Sequence, residues 1–184
     1  LIAAGCRALA SWGLAGALDP QLPCGAVLLP EEVILESGAS LATGLAWRRQ
    51  IEDALQARWL ICRRRLLTSA RALATIPDKQ QAFRRTGAAA VDMESFAVAE
   101  EAAARGLPFV VMRVIVDTAA DALPPALADA PDGTGNVPVG RIIARALAAP
   151  SGLGDLLRLA RRYRVASRRL RAVARAGALT AYHP

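Results

Sequence analysis

Two acidic residues stand where the chain changes structural character. Glu94 opens an Ala-rich stretch, and Asp117 follows the apolar run FVVMRVIV, Phe109 to Val116. Carboxyl groups brought to one pocket can divide the work of bond cleavage. One, kept protonated, gives its proton to a leaving group; the other, ionised, accepts hydrogen bonds from hydroxyls. Asp117 suits the first role if burial beside Ile115 and Val116 favours its protonated form. Glu94 suits the second, where each charge-assisted hydrogen bond contributes about 1.5–3 kcal/mol. Each also has a purely structural use: Glu94 as an acid at a helix N-terminus, Asp117 as the cap of a Thr118–Ala119 turn.

The elements around them explain how two such residues would meet. Glu94 to Arg105 has high helix propensity. Gly106 can adopt the left-handed conformation that ends a helix, and Pro108 prevents its continuation. Phe109 to Val116 is nearly continuous in apolar, β-branched residues, as in a parallel strand covered on both faces. In open α/β sheets ligands bind outside the carboxyl ends of the strands, where Asp117 falls.

AVDMES, Ala90 to Ser95, followed by GLPFVVMRVIVDTAAD, Gly106 to Asp121, resembles the signature of the purine nucleoside phosphorylase and nucleosidase superfamily. That resemblance implies cleavage of an N-glycosidic bond, with Asp117 as acid to the purine and Met93 and Glu94 holding the ribose. It also implies a three-layer α/β/α fold with a central mixed sheet, Phe109 to Val116 near its middle, and a homo-oligomer. Ala15 and Gly16 would line the base in a Gly-rich turn from Gly13 to Pro20. Leu73 occupies a place where an aromatic often packs on the purine. LPPAL, Leu123 to Leu127, and the Arg-rich C-terminus are most similar to the hopanoid-associated phosphorylase branch, which implies release of adenine from adenosylhopane. The alternatives are a soluble 5′-methylthioadenosine/S-adenosylhomocysteine nucleosidase, a purine nucleoside phosphorylase, or a non-catalytic binding domain.

Three positions depart from the family pattern. Leu14 and Val116 stand where many relatives carry a hydroxyl, and Ala17 replaces a glycine. No cofactor or metal is expected; inorganic phosphate is the co-substrate if the reaction is phosphorolysis. The chain starts without Met, and relatives carry an upstream strand and a Glu that activates water. The expectation is an N-terminally incomplete protein.

Composition excludes other classes. Aromatics are 4% of the 184 residues, too few for nucleic-acid binding by base stacking. Cys6, Cys24 and Cys62 lack metal-ligand spacing, and His183 is the single histidine. A zinc site or a Ser-His-Asp triad therefore has no support. Unpaired thiols suit a reducing cytoplasm.

The net charge of +7 is concentrated at one end. Residues 151–184 carry eight Arg and one acid, whereas the first 150 balance fifteen bases against fifteen acids. The division predicted is 1–150 as the α/β domain and 151–184 as an Arg-rich helix and tail. Leu153, Leu156, Leu157, Ala160, Tyr163, Ser167, Leu170 and Ala174 recur at helical spacing over 153–176. This segment reads either as a helix packed on the domain or as a basic amphipathic helix touching anionic membrane.

Elsewhere the patterns predict a strand over Ala8 to Leu14. Short strands are expected at Ala26 to Leu29 and Val33 to Glu36, paired as a hairpin or a bent strand around Pro30. A loop should follow over Gly38 to Gly44, then a helix over Ala46 to Arg58 and a strand over Leu66 to Ala70. Pro77 to Arg85 reads as a short helix, 124–138 as a long irregular segment, and Val139 to Ala148 as a helix.

Overall fold

The computed structural model describes residues 5–55, 59–123 and 152–176. Eight strands form one mixed sheet: β1 (Leu9–Ala17), β2 (Val27–Leu28), β3 (Glu32–Leu35), β4 (Ser40–Ala42), β5 (Ile61–Cys62), β6 (Leu66–Thr68), β7 (Ala90–Asp92) and β8 (Phe109–Asp117). Four helices accompany them: α1 (Leu45–Leu55), α2 (Ile76–Thr86), α3 (Ser95–Ala104) and α4 (Gly152–Arg175). The strand order is β4-β3-β6-β7-β1-β8-β2-β5. The expected α/β fold with a central mixed sheet is therefore present, and β8 is an interior strand.

β8 is parallel to β1 and antiparallel to β2. Its continuous apolar character follows from having both faces covered. Val110, Met112 and Val114 pack with Trp47, Ile51 and Leu55 of α1 and with Ala166 and Val173 of α4. Phe109, Val111 and Ile115 pack with Phe96, Ala99 and Ala102 of α3. A third cluster, Leu18, Ile34, Leu67, Leu73, Ala88 and Val91, receives Ala82 and Phe83 of α2.

Helix α3 ends as its sequence predicts. Gly106 has φ +61°, its N–H donates to the Ala103 carbonyl at 3.1 Å, and Leu107 N–H donates to Ala102 at 2.9 Å. This pair of bonds satisfies two carbonyls of the last turn. Helix α2 is capped at both ends, by Thr75 and by Gly87.

Several local expectations are corrected. β2 and β3 are not a hairpin or one bent strand. β2 joins β8 and β5, whereas β3 joins β6 and β4 across the sheet. The segment expected to be a loop contains β4, which pairs antiparallel with β3. Gly13 to Ala17 belong to β1 rather than to a turn, and the turn begins at Leu18, where Leu22 N–H bonds the Asp19 carbonyl. Of the expected helix over 46–58, the described part ends at Leu55. The irregular segment expected over 124–138 and the helix expected over Val139 to Ala148 lie outside the described residues. Cys6, Cys24 and Cys62 are free.

Helix α4 meets the sheet on a different face from the one its sequence suggests. Ala166 and Val173 are fully buried, with Leu170 packed beside them. Leu157 and Tyr163, expected on the same stripe, are 70% and 56% exposed. Arg162 pairs with Asp121, and the Arg169 guanidinium lies 4.3 Å from the Trp59 ring centre, so two arginines serve the packed face. The side chains of Leu153 and Leu156 lie outside the described set. No described helix is long and apolar enough to cross a membrane.

Candidate active site

A cavity of about 430 Å³ opens where β1 and β8 end together. Asp117, Glu94, Met93, Ala15, Gly16 and Leu73 all line it. The structure thus brings together every site residue named from the sequence.

Strand register sets the aim of Asp117. Ala15 pairs with Ile115, but Gly16 pairs with Asp117, so Val116 is an extra residue on β8. Such a bulge bends the strand and re-aims the next side chain. Val116 lines the cavity while Asp117 is 4% exposed. The carboxyl group lies against Gly16, where a Cβ would come within 3.1 Å of Oδ2 and 3.2 Å of Oδ1.

The surroundings of Asp117 are not the apolar ones expected from Ile115 and Val116. Lys79, on α2 and fully buried, donates from Nζ to Asp117 Oδ2. The same ammonium donates to the Thr118 carbonyl at 2.9 Å and the Asp121 carbonyl at 2.8 Å. Asp117 does not cap the following turn. Asp121 does, accepting from Thr118 N at 2.8 Å and from Thr118 Oγ1 at 2.6 Å.

Glu94 contrasts with Asp117. It sits at the N-cap of α3, makes no side-chain cap bond, and its carboxylate is 79% exposed, 3.8 Å from Arg113 Nη2. Its charge is therefore available to a ligand in the cavity. Met93 is 46% exposed beside it, and Leu73 is buried.

Below these residues lies a buried polar network. Arg113, 1% exposed, donates from Nε to Asp92 Oδ2 at 2.8 Å and from Nη2 to Ser11 Oγ at 2.7 Å and Ser95 Oγ at 3.0 Å. Thr68 Oγ1 donates to Asp92 Oδ1 at 2.8 Å. Ser95 Oγ also donates to Asp92 Oδ2. A charge this deep is tolerated because it is paired and its Nε and Nη2 donors have partners. The network fixes Asp92 and Ser95 on either side of the Met93–Glu94 segment. At Gly13, a Cβ would lie 2.5 Å from Arg113 Nη1.

Cys24 lies at the edge of this region. Burial pushes its thiol pKa up; Arg162 opposes that and Asp117 adds to it.

Sequence reasoning missed Lys79 and the role of Arg113. Lys79, Ala82 and Phe83 share one face of α2, and the latter two pack inward; that spacing was the available signal. Arg113 showed itself as a charge inside an apolar strand, which calls for a buried partner.

The fold is found among solved structures. The 5′-methylthioadenosine/S-adenosylhomocysteine nucleosidase of Helicobacter pylori superposes with a TM-score of 0.61 at 18% identity, covering 65% of this chain and 59% of that one. The futalosine hydrolase of Helicobacter pylori gives the same values. An S-adenosylhomocysteine nucleosidase from Streptococcus pyogenes gives 0.60 at 20% identity, covering 65% and 58%. This chain spans about three fifths of the length of these structures. No curated protein sequence matches it. At such identities the likeness speaks for fold alone, but a family model described as the Phosphorylase superfamily matches residues 1–137. With that match joined to the mixed sheet described above, the chain belongs to the Phosphorylase superfamily.

Proposed function

We propose that the protein cleaves the N-glycosidic bond of a purine nucleoside. The observation that carries this reading is the pairing of unlike carboxyl groups in one cavity: Asp117 buried, Glu94 exposed. Asp117 gives its proton to the purine while the bond between ribose and base breaks and its electron pair passes to the base. Glu94 accepts hydrogen bonds from the ribose hydroxyls and favours the positive charge that develops on the sugar. Met93 packs on the ribose, and Ala15, Gly16 and Leu73 enclose the base. The nucleophile, water or inorganic phosphate, then bonds to the sugar carbon; water passes a proton to solvent as it does so. A mutant of the Helicobacter pylori nucleosidase has been crystallised with 5′-methylthioadenosine in its active site, which supports an adenosine-like substrate here.

The finer proposal is release of adenine from adenosylhopane, a nucleoside carrying a polycyclic lipid. Leu14, Leu73, Val116 and Leu123 give the cavity an apolar lining suited to such a substrate. Exposed Leu157, Tyr163 and Val165 on Arg-rich α4 offer a surface for the membrane in which it resides. Cytoplasmic placement and a homo-oligomer belong to the same proposal.

Asp117→Asn should reduce purine release by roughly 10²–10⁴-fold, the usual contribution of a positioned general acid. Glu94→Gln should also lower the rate. The assay compares adenine release from a lipid nucleoside in vesicles and from 5′-methylthioadenosine, with and without phosphate. Ribose 1-phosphate derivatives would identify phosphorolysis. Wild-type rates in Asp117→Asn would remove the acid from the scheme, and preference for the soluble nucleoside would remove the lipid.

A further inference from the structure

The proposed chemistry leaves Lys79 without a task, yet its placement is costly. Lysine is almost never fully buried unless paired, and a charge at this depth is costly unless every donor finds a partner. A lysine ammonium has three N–H donors. Lys79 uses them on Asp117 Oδ2, the Thr118 carbonyl and the Asp121 carbonyl. With all three committed, it is fixed in place before any substrate arrives. Its anchors are the capped first turn of α2 on one side and the turn leaving β8 on the other.

That arrangement matters when Asp117, carrying a proton on Oδ1 taken from solvent before the step, transfers it to the purine. Negative charge then appears on the carboxylate next to a positive charge already in position. The attraction is stronger as the proton leaves than before the reaction, so it lowers the barrier rather than tightening substrate binding. We infer that Lys79 is a positioning residue: it holds the Asp117 carboxyl group towards the cavity and stabilises the carboxylate left once the proton has passed to the purine. The inference rests on the proposed reading of Asp117 as the acid.

Lys79→Met keeps an unbranched chain and removes the charge. In the full protein it should lower kcat for a purine nucleoside roughly 10²-fold, the scale of losing one preorganised donor, with KM changed less than about threefold. Cleavage of 4-nitrophenyl riboside, whose aglycone leaves as a stable anion without a proton, should change by less than about threefold. Lys79→Arg, which restores charge and donors, should recover at least about tenfold in kcat. Lys79→Gln, which retains an N–H donor, replaces the Met variant if circular dichroism shows that one unfolded.

Equal loss on both substrates, a change confined to KM, or an unchanged kcat would each overturn the inference. If the wild type ignores the nitrophenyl riboside, the division between kcat and KM and the Arg recovery decide. Purine release by the wild type together with an unchanged Lys79→Met removes only this inference. A wild type that releases no purine removes the functional reading beneath it as well.

Discussion

Gly13 and Gly16 have no side chains because two other side chains occupy the space. Both lie in β1 with ordinary backbone angles, so neither is needed for a left-handed turn. Gly13→Ala would set a Cβ 2.5 Å from Arg113 Nη1. Arg113 is held by Asp92, Ser11 and Ser95 and cannot move aside without breaking those bonds. The variant should lose about 1–3 kcal/mol of stability, as overpacked cores do, measurable by urea denaturation. Gly16→Ala meets Asp117 at a less severe distance. It should fold, but displace the carboxyl group by a few tenths of an ångström and lower purine release roughly 10–10²-fold, as initial rates would show. Asp117 and Glu94 were legible because each follows from chain order: an acid at a strand end and an acid at a helix start. The reason for the glycines was not, since Arg113 and Asp117 reach them only through pairing with a distant strand. Lys79 was hidden for the same reason, as helical spacing does not say which strand a helix meets.

At the scale of elements, α2 holds Lys79 as firmly as its own ends are held. Thr75 Oγ1 accepts from Asp78 N at 3.2 Å and donates to Asp78 Oδ2 at 2.8 Å. At the far end Gly87, with φ +65°, returns its N–H to the Phe83 carbonyl at 2.8 Å. Thr75→Ala should cost about 1 kcal/mol and should also slow purine release by loosening Lys79. The Thr75 hydroxyl holds the Asp78 carboxyl below the usual carboxylate range; desolvation opposes it, and Arg71 adds to it. A depressed folded pKa gives stability that is present above the ordinary carboxylate value and lost as pH falls through the lower folded one. The stability gap between wild type and Thr75→Ala should therefore narrow in acid, which denaturation curves at several pH values would test. Helices α2 and α3 were legible from Pro77, Gly106 and Pro108, whose conformations are local. Strands as short as β2, β4 and β5 were not placed correctly because their partners, rather than their own residues, define them.

For the whole molecule, α4 joins packing to charge. Ala166, Leu170 and Val173 close one face of the sheet, while Arg161, Arg164 and Arg168 remain exposed. Removing residues 151–184 should therefore lower the melting temperature by several degrees. Changing the three exposed arginines to Glu should leave melting nearly unchanged. It should abolish binding to anionic vesicles, which the intact protein should show and lose as salt rises. Absence of binding by the intact protein, measured by vesicle sedimentation, would mean that α4 is only a cover. The sheet order has another consequence, for the sequence of events in folding. β1 is made well before β7 and β8, with which it pairs, and Leu9 finds its partner at Phe109. Closing so long a loop is entropically expensive and slows folding. Until it closes, both edges of β1 are open to association with other chains. Gly16 waits for Asp117, and Gly13 for Arg113. The pocket is thus incomplete until β8 is made, and any nascent chain that stops before Phe109 carries the space for an acid without the acid itself.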